Sequence, residues 1–465
     1  MTDKNIIYPT IDLFSYDLAE GLGESENDIE QNRSNFWRRI YGERPTDPKL
    51  VNAESELSDY IELLGKNGKD FDYPLDGFYY PVKLNDTYAL QVNCSNDLTD
   101  DPLLKFSPRH IESFQKIQQN ITEKLHHSQT NQPSNHIGQT WFVWGQLTSD
   151  DEDANKIARK IYDQLKIFDT PNWDKDLKSD ITLPPKLLSA QCFELWQLPS
   201  DRGKISQSKH LLICLFPHEL DIQKDIVKKI MPQLYPSLMQ LFLYRHKIIW
   251  TYCHSRTHKN KLKEKVTKIQ KNIAFLGDEN QPPNNNLSQL QQNLRSNLNL
   301  INIYSKDLVY LESQKNTIET NLKNYQNKLK RLENPERDIN ILFLLKFASI
   351  VTKKYIPQIN ADITSLSPNQ KSLENAIRNI EGVISIEQAR SERSLNQTIS
   401  YVGTGLGTSQ VAASIIVAQF PAKTENPSYQ AVIYMGGVFI GSIAVGAIFG
   451  YLVFWIMRSR NSPKA

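Results

Sequence analysis

Histidine and cysteine side chains with the spacing of metal ligands occur in one segment of the chain. His254 and His258 are four residues apart, which places two side chains on one face of a helix, and His246 and Cys253 fall on nearby faces. Such a cluster could bind zinc. Seven lysines and arginines lie between residues 245 and 265, and their charge would repel a cation. The segment therefore predicts ordinary helix-face histidines and no metal site.

A glycine-rich GxGxG pattern at Gly403, Gly405 and Gly407 has the residue type of a phosphate-binding loop. Such a loop needs a preceding strand, and here the glycines lie in an apolar segment with no predicted strand before them. P-loop, HExxH, GxSxG and EF-hand motifs are absent from the sequence. The sequence therefore predicts a protein that is not an enzyme and has no cofactor.

The charges are unevenly distributed along the 465 residues. The 54 basic and 52 acidic side chains nearly cancel, but residues 1–150 carry 24 acidic and 13 basic groups, and residues 202–271 carry 15 basic and 4 acidic groups. The basic stretch could bind an external anion, pair with the acidic N-terminal region, or be a solvated helix face. Nucleic-acid binding is not predicted, because no known fingerprint is present. A mean hydropathy of −0.49 excludes a protein made chiefly of membrane helices.

Two uncharged windows of membrane length occur near the C-terminus, at residues 399–420 and 431–457. The second, at about 1.5 Å per residue, is longer than the ~30 Å hydrocarbon core of a bilayer requires. Both windows are predicted to span the membrane. Arginines lie before the first and after the second, whereas the turn between them carries only Lys423 and Glu425. By the positive-inside rule both termini are cytoplasmic, and the prediction is an integral membrane protein of the plasma membrane.

Small and hydroxyl residues recur at helical spacing in the predicted spans. Glycine pairs with GxxxG spacing allow close helix packing and favour a homo-oligomer; the glycines are Gly403, Gly437, Gly441, Gly446 and Gly450. One face of the first span could line a water-filled path; its residues are Ser400, Thr404, Gly407, Val411 and Ser414. Hydroxyls that bond their own helix backbone are the alternative.

A heptad register runs from Leu287 to Leu332 and is broken only at Asn297 and Lys315. This pattern is typical of a coiled coil. An amphipathic segment precedes it at residues 262–273, and the turn-forming stretch 277–286 separates the two. An antiparallel helical hairpin is the economical interpretation, and a parallel oligomeric coil is the alternative. Residues from about 368 onward are predicted to form a helix that continues into the first span.

The N-terminal region combines helix and strand patterns. Residues 9–41 are predicted to be helical, and residues 79–84 and 87–94 to form a hairpin around Asn85-Asp86. The predicted fold is an α+β cytosolic domain with an antiparallel sheet, then a helical hairpin or coiled coil, then a C-terminal two-helix transmembrane hairpin. The predicted boundaries are 1–235 for the α+β domain, 236–335 for the hairpin, 336–398 for a helical stalk, 399–457 for the membrane hairpin and 458–465 for a basic tail.

The order of these parts resembles CorA-type magnesium transporters. In that family a cytosolic α/β domain leads through a stalk helix into the first of two membrane helices. The resemblance implies a pentamer whose first membrane helices line an ion path. The family's Gly-Met-Asn at the end of the first span is absent, since this chain reads Gln419-Phe420-Pro421 there.

Two functions are compatible with these features. The first is a membrane-anchored, non-enzymatic sensor, tether or assembly factor that associates through its coiled coil and membrane helices. The second is a CorA-like oligomeric ion channel or transporter. The predicted partners are membrane lipid, further copies of the chain and a protein bound through the coiled coil.

Overall fold

The computed structural model describes residues 4–21, 23–42, 58–65, 68–97, 106–125, 135–178, 186–199, 208–276, 287–333 and 342–390. The chain divides into two compact units, one of residues 1–267 with 303–369 and one of residues 268–302 with 370–465. Across the described ranges, no helix combines the length and the apolar character needed to cross a bilayer. The predicted spans 399–420 and 431–457 and the predicted basic tail lie outside the described residues.

The first unit contains a mixed β-sheet. Its described strands are β1 (Ile6–Leu18), β2 (Ile61–Glu62), β3 (Lys69–Asp70), β4 (Leu75–Leu84), β5 (Thr87–Asp97), β6 (Pro108–Arg109), β7 (His136–Leu147), β8 (Lys186–Leu187), β9 (Ala190–Gln197) and β10 (Lys209–Phe216). The order across the sheet is β2-β4-β5-β1-β7-β10-β9-β8, with β3 beside β4 and β6 beside β1. The predicted hairpin is confirmed as β4 and β5, and Asn85 at its turn has the positive φ of 53° that asparagine tolerates.

The prediction of helix from residue 9 is wrong, because residues 6–18 form the central strand. In β1, Leu13 lies opposite Val92 of β5 and Trp141 of β7. Aromatic and β-branched residues that alternate along the segment fit a pleated strand with two buried faces. Helix α1 (Glu26–Tyr41) begins only after Ser25, which forms a capping box with Asp28.

The prediction of a purely antiparallel sheet is also wrong, because β10 runs parallel to β7. The connection between these strands includes helix α3 (Ala154–Leu165), the short helix α4 (Trp173–Asp176) and strands β8 and β9. A parallel pair requires a long crossover of this kind, which returns the chain to the end of the sheet where the first strand began. All other neighbouring pairs among the described strands are antiparallel.

One face of the sheet carries the main apolar core. Helices α1, α2 (Ser113–Lys124) and α3 cover this face, and their apolar side chains join those of the strands. The fully buried members include Ile11 and Leu13 of β1, Phe114 of α2 and Ile161 of α3. Burial of each such side chain contributes roughly 1.5–3 kcal/mol to the free energy of folding. The packing of these helices therefore stabilises the sheet.

Helix α5 (Met231–Leu276) covers the opposite face, and the π-helical segment Ile222–Ile230 precedes it. The Tyr16 hydroxyl of β1 donates a hydrogen bond of 2.8 Å to the carbonyl of Met239. Phe14 meets Phe242 edge to face at a ring separation of 5.5 Å. These contacts place the first half of α5 directly on the central strands.

Three further helices follow: α6 (Leu287–Leu332), α7 (Leu342–Ile350) and α8 (Ile356–Arg390), with the π-helical segment Val351–Tyr355 joining the last two. Within the first unit, Lys265 of α5 pairs with Asp307 of α6, and Gln240 of α5 accepts from Lys328 of α6 at 2.7 Å. The two helices are therefore antiparallel, as the hairpin interpretation predicted.

The α7–α8 segment runs antiparallel to α6. The Tyr325 hydroxyl donates to the carbonyl of Leu344 at 3.0 Å, and the Tyr304 hydroxyl donates to the carbonyl of Leu366 at 2.7 Å. The apolar positions of the predicted heptad seam are buried from residue 294 to residue 329, and Leu332 is half-buried; the buried residues are Leu294, Ile301, Tyr304, Leu308, Leu311, Ile318, Leu322, Tyr325 and Leu329. From residue 303 to 329 the seam lies in the first unit, where its tyrosines bond to α7 and α8 of the same chain.

Candidate functional site: a buried polar layer and its helix contacts

The face of the sheet under α5 carries buried polar side chains. We call this set, together with the half-buried Tyr235 of α5, the polar layer; its buried members are Asp12, Gln91, Asn93, Thr140, Glu194 and His210 on the strands and Arg245 and His246 on α5. Side chains of alternate strand residues point to the same face, so Asp12 shares this face with Phe14 and Tyr16, and the apolar core lies on the other side. The buried charges in this layer require partners, because an unpaired buried charge is strongly destabilising.

Asp12 is fully buried and accepts four hydrogen bonds. Its Oδ1 accepts from Gln91 at 2.8 Å and Asn93 at 2.7 Å, and its Oδ2 accepts from the Trp144 indole and the Tyr235 hydroxyl, both at 3.0 Å. Burial raises the pKa of Asp12 from 3.8 to about 6, although the four hydrogen bonds oppose that rise. The carboxyl group thus joins β1, β5, β7 and α5 at one point.

We expect the cost of replacing Asp12 by Asn to depend on pH. The folded pKa of Asp12 lies above its unfolded value, so its stabilising contribution is full below about pH 4 and falls as pH rises towards about 6. The free-energy cost of the substitution should therefore shrink over that range, by about 1.4 kcal/mol per unit of pKa difference. The measurement is urea unfolding of both proteins from pH 4 to pH 7.

The cost is measured as the difference in stability between the variant and the parent protein, so titrations of other groups that both proteins share cancel. Burial lowers the pKa of His210 and of His246, so both histidines lose stabilising contribution as pH falls, and this trend opposes that of Asp12 in the whole protein. Asp151→Asn, at an exposed position, serves as the matched control. A cost at Asp12 that is constant across the pH range would contradict the prediction.

A chain of hydrogen bonds crosses from β7 to β10 and α5. The Thr140 hydroxyl lies 2.8 Å from Nδ1 of His210 and 2.7 Å from Nε2 of His246. His210 Nε2 lies 3.3 Å from Oε1 of Glu194. Burial lowers the pKa of both imidazoles well below the ordinary value, so each is neutral with one N–H.

The protonation state of Glu194 sets the direction of this chain. An ionised Glu194 accepts from His210 Nε2, which leaves Nδ1 bare to accept the Thr140 proton, and Thr140 in turn accepts from His246 Nε2. When Glu194 is protonated, the donor and the acceptor exchange roles in all three hydrogen bonds. Burial raises the pKa of Glu194 to about 7, opposed mainly by the charge of Arg245. Both directions are therefore accessible near neutral pH.

Arg245 connects the sheet to the helical part of the first unit. Its side chain is buried, and Nη1 lies 3.7 Å from Oε1 of Glu194. The guanidinium carbon lies 5.3 Å from the ring centre of Trp196 and 4.2 Å from that of Phe347 on α7. Arginine packs on aromatic faces in this way because its charge is delocalised over a plane. One side chain thus touches β9 and α7 from its position on α5.

Further along α5, acidic side chains of α6 and α8 pair with its basic residues. Asp362 of α8 is 3% exposed and contacts Arg256 and Lys259, the latter at 2.6 Å. Asp307 of α6 pairs with Lys265. The basic stretch therefore pairs in part with carboxylates of its own chain. Lys247 also pairs with Asp86 at the β4–β5 turn, which matches the proposed pairing with the acidic N-terminal region.

A second buried charge cluster lies on the apolar face. Asp17 of β1 contacts Arg39 of α1 and accepts from His136 Nδ1 at 2.8 Å, while Arg39 also donates to the Ser15 hydroxyl at 2.6 Å. Burial alone would raise the pKa of Asp17, but the charge of Arg39 and the His136 hydrogen bond lower it below the ordinary value. Through the contacts of Arg39 with Asp17 and Ser15, this cluster connects α1 to the central strand β1.

Gly138 allows His246 to approach β7. A methyl group at Gly138 would lie 2.5 Å from Nδ1 of His246, so we expect Gly138→Ala to displace the imidazole and to cost about 1–3 kcal/mol by overpacking. Gly382→Ala on α8 is the control, because nothing lies within 4 Å of the added atom and alanine favours helix. Thermal unfolding of the two variants checks the prediction, which an unchanged Gly138→Ala midpoint would contradict.

None of the sequence-predicted site residues belongs to the polar layer. The pore-lining set Ser400, Thr404, Gly407, Val411 and Ser414 and the packing glycines Gly403, Gly437, Gly441, Gly446 and Gly450 lie outside the described residues. His254 packs on Trp250 and His258 on Tyr310 at ring separations of 4.3 and 4.4 Å. Among the described residues, no three histidine, cysteine or acidic side chains form a group that could hold a metal ion.

Sequence reasoning missed Asp12 and Glu194. Each is a single acidic residue inside an apolar strand, in the contexts IDLF and CFELW. An acidic residue within an apolar strand indicates a buried carboxylate that has polar partners. The incorrect helix prediction for the first strand concealed this signal for Asp12.

No family model matches the chain, and no curated protein matches it. Among solved structures, the chain is similar to the complete structure of the CorA magnesium transporter from Methanocaldococcus jannaschii, with 14% sequence identity and a TM-score of 0.18, covering 72% of this chain and 94% of that one. The likeness is a weak one in architecture, and a TM-score of this size does not establish a shared fold.

Proposed function

We propose that this chain is a membrane-anchored, non-enzymatic protein whose cytosolic α+β domain acts as a sensor or tether, coupled mechanically to its C-terminal helices. The observation that carries the proposal is the series of buried contacts from Glu194 through Arg245 to Phe347, and from Arg256 to Asp362 on α8. Buried charges of this kind tolerate little displacement. A displacement of the sheet strands would therefore also displace α8.

The sequence supports the membrane part of the proposal. Helix α8 extends to Arg390, shortly before the uncharged window that begins after Arg393. A helix that continued from α8 into this window would connect the cytosolic domain to the bilayer. Membrane lipid and further copies of the chain are the proposed partners, with both termini in the cytoplasm.

Alkaline carbonate extraction of cell membranes tests the anchor. The full chain should remain in the membrane pellet. Val445→Arg, in the middle of the second window, should reduce that fraction, because arginine at a helix centre costs about 2.5–3.5 kcal/mol in membrane insertion. Ser462→Arg in the basic tail is the matched control. Extraction of the parent protein into the supernatant would overturn the anchor.

Hydrogen exchange tests the coupling. Glu194→Gln removes the charge that Arg245 faces, and we expect faster amide exchange in α7 and the first turns of α8 as well as in β9. Lys315→Gln on α6, at a partly exposed side chain, should leave these segments unchanged. Exchange that increases only in β9 would argue against transmission from the sheet to the helices.

A CorA-like oligomeric channel is the second candidate. The observation that favours it is the hydroxyl stripe from Ser400 to Ser414, which follows a long helix that could move it. Purified protein in two sets of liposomes, one loaded with a magnesium-sensitive dye and one with a potassium-sensitive dye, distinguishes the two functions. Flux that Thr404→Leu and Ser414→Leu both abolish would support the channel, and the absence of magnesium and potassium flux would exclude it.

A further inference from the structure

Two thiols face each other inside the sheet. Cys192 of β9 and Cys214 of β10 are directly opposed in the antiparallel register, and their sulfur atoms lie 2.6 Å apart. Both residues are buried. The other two cysteines, Cys94 on β5 and Cys253 on α5, lie in other elements. The four cysteines are widely separated in the sequence, and only the strand pairing brings two of them together.

The strand geometry permits a covalent bond between them. Opposed residues in antiparallel strands have Cα atoms about 4.5–5.5 Å apart, and a disulfide spans about 4.4–6.8 Å between Cα atoms. The sulfur atoms would need to approach by only about half an ångström to reach bonding distance. The Cα separation expected for such a pair therefore lies within the range that a disulfide spans.

We propose that Cys192 and Cys214 form a modification site that a peroxide-class oxidant converts reversibly to a disulfide. One thiolate attacks a peroxide oxygen, which gives a sulfenic acid and releases water. The second sulfur then attacks the sulfenic sulfur and displaces a second water, so that two thiols and one peroxide yield one disulfide and two waters. A dithiol reductant reverses the bond by exchange.

The position of the pair gives the bond a structural effect that goes beyond the proposed function. Cys192 shares a sheet face with Glu194, and Cys214 with His210, because each pair is an even number of residues apart. A disulfide would therefore fix β9 to β10 beside the Glu194–His210 hydrogen bond. Burial raises the pKa of the Cys214 thiol, so oxidation should be slow in the folded protein and the reduced pair should resist bulky alkylating reagents.

Peptide mass spectrometry of the full-length protein tests the proposal. The folded protein is treated with hydrogen peroxide, quenched in acid, unfolded, and labelled with N-ethylmaleimide. We expect a linked peptide that contains Cys192 and Cys214, with loss of both labels at these positions and retention of the labels at Cys94 and Cys253. Dithiothreitol should restore all four labels.

Variants make the result specific. Cys192→Ser and Cys214→Ser should each abolish the linked peptide, and the double variant with Cys94→Ser and Cys253→Ser should keep it. If a serine variant does not fold, the parent protein still decides the question. Four retained labels after peroxide treatment, or conversion of Cys192 and Cys214 to sulfinic acids without a link, would overturn the proposal.

Discussion

Replacing Asp362 by Asn is expected to lower the free energy of unfolding by about 3–5 kcal/mol, the cost of breaking a buried ion pair by removing one partner. Asp362 is 3% exposed and holds Arg256, itself 2% exposed, together with Lys259. The amide of asparagine carries no charge, so Arg256 would remain buried without its counter-ion. Urea unfolding of the full chain in detergent, followed by circular dichroism, measures the loss.

Two comparisons identify the cause. Glu319→Gln breaks the exposed pair with Lys315 and should cost less than about 1 kcal/mol. The double variant Asp362→Asn with Arg256→Met removes both buried charges and should recover part of the stability that the single variant loses. If Asp362→Asn is as stable as Glu319→Gln, the buried ion pair does not hold α8 to α5.

Replacing Arg245 by Met should destabilise the first unit by a similar amount at pH 8, about 3–5 kcal/mol. The substitution takes away the cation nearest Glu194 and the group that packs between Trp196 and Phe347. Methionine fills similar volume, so the loss reports mainly on the charge. Thermal unfolding across pH 6–8 is the measurement.

The sign of the pH dependence follows from Glu194. Its pKa is about 7 because burial raises it, and Arg245 opposes that rise. Without Arg245 the folded pKa rises further, so stability should fall more steeply as pH increases. The cost of Arg245→Met is therefore expected to be smaller at pH 6 than at pH 8. Adding Glu194→Gln should remove this pH dependence, and a cost that grows towards acid pH would contradict the assignment.

Local patterns in the sequence predicted several elements correctly. The Asn85-Asp86 turn with alternating strands on either side identified the β4–β5 hairpin, and the heptad register identified the buried positions of α6. These features depend on residues close together in the chain, where spacing alone decides which side chains share a face. The antiparallel direction of α5 and α6 also followed from a short turn-forming stretch between them.

The polar layer was not predictable in the same way. Asp12, Thr140, Glu194 and His210 are far apart in the sequence, and their sequence neighbours do not show that the four side chains share one buried face. The parallel pairing of β10 with β7 places Thr140 beside the strand of His210. No local pattern specifies that neighbour, since strand order is a property of the whole chain. The predicted membrane residues remain predictions.

The central place of β1 has a consequence for synthesis. Strand β1 precedes both of its partner strands in the chain, since it pairs with β5 on one side and with β7 on the other, and its buried Asp12 carboxylate bonds to Tyr235 of α5, which follows later still. A nascent chain that has not yet produced β7 exposes an unpaired apolar edge along β1. Such edges recruit other strands, so folding with these long-range contacts is slow and incomplete chains should depend on chaperones that bind extended segments.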